Sequence, residues 1–130
     1  GSTGGNEWYG QLGVQFESAG SFVFAYPSLA GDINTTTQDI TSTADTITAN
    51  ADVVILKPDA SYTLASNPQI APGKLGQTVI LTGEPQNANT VTLTDGNGLN
   101  LGLSRDVGDG DTLALVFNGS VWVEVSFQAN

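Results

Sequence analysis

The chain has 130 residues, 39% hydrophobic and only 12% charged, and its thirteen acidic side chains against three cationic ones leave a net charge of −10. That length predicts one domain with a real core, and that charge repels phosphate backbones and anionic lipid, which argues against nucleic-acid and membrane-surface binding. The absence of cysteine and histidine removes disulfides, thiolate and imidazole metal sites and His-dependent nucleophiles, and no apolar run approaches a membrane span, so the chain reads as a soluble, already processed piece without a signal peptide.

Residues 1–5, GSTGG, read as a linker or tag remnant. Trp8 and Tyr9 follow as an aromatic pair that could be a ligand platform or could pack the terminus onto the domain. Leu12, Val14 and Phe16 alternate with small or polar residues, and Phe22, Phe24 and Tyr26 do so again beyond Gly20, which predicts a hairpin. The breaker-rich stretch Pro27–Thr37 separates this N-terminal hairpin or arm, residues 6–37, from a module over 38–130.

Within the module Ile40, Ile47 and Val53-Val54-Ile55-Leu56 are strand-like, the last too continuous for a half-exposed strand and therefore central. Val54-Ile55-Leu56, a turn, then Tyr62-Thr63-Leu64 resembles Val79-Ile80-Leu81, a longer turn, then Val91-Thr92-Leu93; Leu115-Val116-Phe117 with Val121-Trp122-Val123 could be a third copy. The spacing drifts, so a duplicated hairpin fits better than a regular solenoid. No window has a sustained helical period with caps. About ten short strands with turns every eight to twelve residues predict an all-β fold, an antiparallel β-sandwich or jelly-roll-like module.

The last hairpin carries the strongest local signal. Asn118-Gly119 between Thr112–Phe117 and Ser120–Val125 predicts a two-residue type I′ turn, with positive φ at both positions. That register sets Leu115 against Trp122 and Leu113 against Glu124, with Val116 against Val121 and Ala114 against Val123 on the other side. Both faces are then apolar. A monomer's surface hairpin leaves one face polar, so Val116, Val121, Val123 and Val125 are the candidate oligomer interface.

Asp106, Asp109 and Asp111, with glycines between, are the densest carboxylate group and the candidate calcium ligands. Their spacing does not match an EF-hand, Arg105 would offset part of the charge, and Asp with Gly is also what tight turns use. Glu124, beside Leu113 in that register, could have its pKa raised by burial, or could sit at the sheet's open end near solvent. No carboxylate pair is marked out for catalysis, and the expectation is no enzyme and no cofactor. Asn34 and Asn118 match glycosylation acceptors, though the second is the hairpin turn itself. Trp8, Tyr9 and Tyr62 are candidate ligand-binding aromatics beside Asn- and Thr-rich loops.

With Gly76–Leu81, Asn89–Gly96 and Gly110–Glu124 in view, the chain resembles C-terminal modules of tailed-bacteriophage virion proteins: tail fibres, other appendages and head-attached proteins, especially of marine and cyanobacterial phages. The resemblance runs from about Thr41 to Val125. Its most specific part is Gly-Asp-Thr-Leu, an Asn-Gly turn, then Trp-x-Glu. It implies a homotrimer in an extracellular virion, resistant to harsh conditions, that binds or scaffolds without catalysis and has other virion proteins or a cell-surface glycan as partners. The fibre or appendage module is one reading, a capsid decoration protein a second and a carbohydrate-binding module a third.

Overall fold

In a computed structural model the structure describes residues 33–130. The compact unit within them begins at Asn34. The expected hairpin over Leu12–Tyr26, the linker at residues 1–5 and the pair Trp8-Tyr9 lie outside the described residues. The unit is all-β. Its strands are β1 (Thr35–Ile40), β2 (Val53–Pro58), β3 (Tyr62–Thr63), β4 (Thr78–Gly83), β5 (Val91–Leu93), β6 (Leu99–Asn100), β7 (Arg105–Val107), β8 (Thr112–Phe117) and β9 (Trp122–Gln128). The end of the breaker-rich stretch, Thr35–Thr37, is thus already strand.

Two sheets enclose one core in sandwich-like layers. The larger has the order β1-β2-β4-β8-β9-β6 and the smaller β3-β5-β7. Both are mixed where antiparallel pairing is expected from the sequence. β1, β2 and β4 lie parallel, as do β3 with β5. Parallel neighbours need a crossover; the one from β1 to β2 passes through an irregular third side at Ile47, and the one from β2 to β4 passes through β3 of the smaller sheet and then that third side at Ile70. On that third side Ile47 bridges Ile70 in parallel, and Gln69 N–H donates to the Asn97 carbonyl at 2.9 Å. The chain therefore winds as stacked turns of a short coil.

This geometry explains the internal repeat. Val54 lies beside Leu81, and Tyr62 beside Val91, one coil turn apart. The spacing drifts because the loops between strands differ in length while the stacked positions keep register. β8 and β9 break the winding: β8 pairs antiparallel with β4 and with β9, and the two are not a further coil turn. The continuous run in β2 is central, flanked by β1 and β4.

Inward side chains fill the coil, among them Val54, Leu56, Leu64, Val79, Leu81, Val91, Leu93, Leu113, Leu115 and Trp122, all buried. At roughly 1.5–3 kcal/mol for each large apolar side chain taken out of water, this core is the main source of stability. Trp122 is fully enclosed, donates its indole N–H to the Ala71 carbonyl at 3.0 Å and meets Phe117 edge-on at 5.2 Å between ring centres. With so few charges available, carboxamides tie down the loops. Gln38 donates to the Thr46 carbonyl and accepts from Thr48 N–H, closing the mouth of the first turn. Gln77 accepts from Lys74 N–H and donates to the Ala49 carbonyl.

Candidate functional site

The outer face of the larger sheet is assembled from strands that the sequence separates widely. In β2 the buried residues are Val54, Leu56 and Pro58, so Val53 and Ile55 point outward. Register then aligns Val53 with Ile80, Ile80 with Ala114, and Val116 with Val123. These neighbours share one face. Ile80 is 40% exposed and the others are half-buried. The result is an apolar strip across β2, β4, β8 and β9, bordered by Thr35, Thr37, Thr78 and Thr112.

The hairpin that supplies half of this face differs from the predicted one in its turn. Phe117 pairs with Trp122, Val116 with Val123 and Leu115 with Glu124. Only Gly119 takes positive φ, at +97°, and Asn118 does not. The Asn118 side-chain oxygen accepts from both Ser120 and Val121 N–H at 2.9 Å, and Asn118 N–H donates to the Val121 carbonyl. That side chain builds a wider loop than a type I′ turn, and the pairing slides by two positions. A slide of two leaves every side chain on its original face, so the two apolar faces survive the correction. Asn118→Ala, which removes the acceptor for two loop N–H groups, is expected to lower stability by about 1 kcal/mol in urea unfolding.

The four predicted interface residues separate. Val116 and Val123 are cross-strand partners in the outward strip. Val121 belongs to the turn and is half-buried. Val125 sits in a β-bulge between Glu124 and Ser126 and is 63% exposed. Val53, Ile55 and Ile80 complete the strip. The signal for them was present, since a run without polar alternation serves both faces of a sheet, but one strand cannot say which neighbours share its outer face.

Glu124 is neither a buried acid with a raised pKa nor a free carboxylate at the sheet's end. It points inward, where Arg105 Nε and Nη2 donate to its two oxygens at 3.0 and 2.6 Å, and its side chain is 15% exposed. The guanidinium hydrogen bond, with a smaller contribution from Gly102 N–H, outweighs burial and holds the Glu124 pKa below the usual carboxylate value. The same hydrogen bond pushes Arg105 up. Arg105 also lies 4.9 Å from the Phe127 ring centre, a cation–π contact. It therefore does not offset the neighbouring aspartates as expected.

Those aspartates do not converge. Asp106 accepts from the Thr92 hydroxyl, Asp109 from Gln86 N–H, and Asp111 from Gly108 and Asn130 N–H. Each holds a different piece of backbone or side chain, as turn-building acids do. Among the described residues no three acidic side chains gather where an ion could be held. Tyr62, the described candidate ligand aromatic, is half-buried against the core and donates its hydroxyl to Asp59, a bond that raises the phenol's pKa. An open hollow of about 260 Å³ lies between the ends of β1 and β2, lined by Asp39, Thr41, Lys57, Pro58, Asp59 and Asn87. Asn87 spends its amide on the Pro58 carbonyl and Glu84. No family model, curated protein or solved structure matches the chain.

Proposed function

We propose that the chain is a non-catalytic structural module of a tailed-phage virion, a trimeric β module of a tail fibre or appendage that acts in assembly or host attachment. The observation that carries this reading is the apolar strip Val53, Ile55, Ile80, Ala114, Val116 and Val123 on the outside of the larger sheet. A sheet face exposed to water by function is normally polar. A face of this composition, framed by threonine, fits burial against another copy of the module, where charged groups are costly and β-branched side chains pack well. The sequence resemblance over Thr41–Val125 supports the viral context.

Val123→Asp tests the assembly face directly. A carboxylate at the middle of a dry interface has no partner, and its desolvation costs several kcal/mol. Sedimentation is expected to show trimer for the parent chain and loss of assembly for the variant, with little folded monomer left. A parent chain that sediments as a well-folded monomer at micromolar concentration, or a soluble and folded Val123→Asp monomer, overturns the reading. Locating the protein on purified particles, at the tail or on the shell, separates the fibre from the capsid decoration protein that the sequence resemblance also implies.

A further inference from the structure

We propose that Arg105, Glu124 and Phe127 form an acid-released latch that holds the second half of β9 onto the smaller sheet. β9 has two strand neighbours only at its start, because β6 pairs with Trp122 and Val123 and goes no further. From Glu124 to Gln128 its strand partner among the described residues is β8 alone, and that pairing is interrupted by the bulge at Val125. Beyond that pairing Phe127 packs against the core and Asn130 N–H, just past the strand, donates to Asp111, and the one charged tie to the smaller sheet is made by side chains. Arg105 stands on β7 in the smaller sheet, grips both oxygens of Glu124 and covers the ring of Phe127.

The latch has few charged neighbours to buffer it. On β8 no residue is charged, and on β9 Glu124 is alone. On β7 Asp106 bonds to Thr92, and Asp95, near the loop before β7, accepts from Leu101 N–H. Asp111, just before β8, is engaged by Gly108 and Asn130. When Glu124 takes up a proton, the guanidinium keeps its charge and loses the anion, the paired hydrogen bonds weaken, and the end of β9, bulged and paired on one side only, loses its charged tie to the smaller sheet. The sign follows from the lowered pKa: the tie is present above the ordinary carboxylate range and is lost as pH falls through the Glu124 value.

The consequence for assembly rests on the function proposed above: Val123 and Val125 lie on or beside the proposed interface, so opening β9 would loosen subunit contacts in acid. The latch itself does not depend on that reading. Its test is residue-resolved hydrogen exchange on the full chain, expressed as protection relative to unfolded peptide, followed from about pH 7 downward until protection is lost or the unit unfolds. Expected is a loss of protection of about tenfold or more at the amides within Ser126–Gln128 that face β8, in acid, while β2, β4 and β8 stay protected, with Glu124→Gln and Arg105→Leu showing the open pattern already at neutral pH. Equal neutral-pH protection in the parent and both variants, or acid opening only as part of unfolding of the whole unit, overturns the latch. Sedimentation of the same samples reads the other question. A monomer with the expected local opening keeps the latch and rejects the assembly.

Discussion

Gly83→Ala is expected to remove about 3 kcal/mol or more of stability, a large share of the usual margin of about 5–15 kcal/mol. Gly83 ends β4 at the point where the larger sheet crosses the loop before β8, and it bridges Asp109. A methyl group there would stand 2.2 Å from the Gly108 carbonyl carbon and 2.4 Å from its oxygen. Both obstacles are backbone, so no rotamer change relieves them and the two segments must separate. Gly76→Ala is the control. Its added carbon meets nothing within 4 Å, but φ is +85°, so the cost is conformational alone and about 1–2 kcal/mol. Urea midpoints of the two variants distinguish a steric requirement for glycine from a dihedral one. Equal losses would mean that the contact between Gly83 and Gly108 is not tight.

Gln69→Glu is the second large effect. Gln69 is the one fully buried polar side chain among the described residues. Its amide nitrogen donates to the carbonyls of Thr94 and Gly96 at 2.8 and 3.0 Å, and its oxygen accepts from Thr94 N–H at 3.0 Å. These bonds join the second coil turn to the third from inside. A glutamate has the same shape but presents a bare oxygen to two carbonyl oxygens. Burial and that repulsion favour its protonated form, raising its pKa in the folded state above the unfolded value of about 4.3. Stability is therefore retained below the unfolded pKa and lost as pH rises through the folded one. The expected loss is about 3 kcal/mol or more at pH 7, with partial recovery near pH 4, where one carboxyl hydrogen can again be donated. Gln69→Leu, which strands the same backbone groups without a charge, is expected to lose about 2–3 kcal/mol with no pH dependence of its own. A pH-independent Gln69→Glu would show that water reaches the site.

Much of this module was legible residue by residue. The uninterrupted runs Val53–Leu56 and Val79–Leu81 identified strands, and the first its central place, because a run with no polar side to alternate with puts apolar side chains on both faces of a sheet. The hairpin's two apolar faces were readable even with the wrong turn, since side-chain direction has a period of two and the pairing error was also two. The Asp and Gly loop offered two meanings, and local chemistry could not choose between them. Three carboxylates near one another in sequence bind an ion only if the backbone turns them inward together, and here each serves a different neighbour.

Strand direction, the partners across the larger sheet and the identity of the outward strip were settled only by the tertiary structure. Parallel and antiparallel strands share the same alternation, so no run of residues says that β1, β2 and β4 are laid side by side by successive coil turns. The Arg105–Glu124 pair joins residues nineteen positions apart through two different sheets, and nothing in either local stretch requires it. Composition and periodicity, acting on each segment by itself, determined that the chain makes strands and which side chains leave water. Which segment lies beside which depends on loop lengths and on packing one shared core, a property of the whole chain at once, and the outward apolar strip and the Arg105–Glu124 contact both follow from that arrangement.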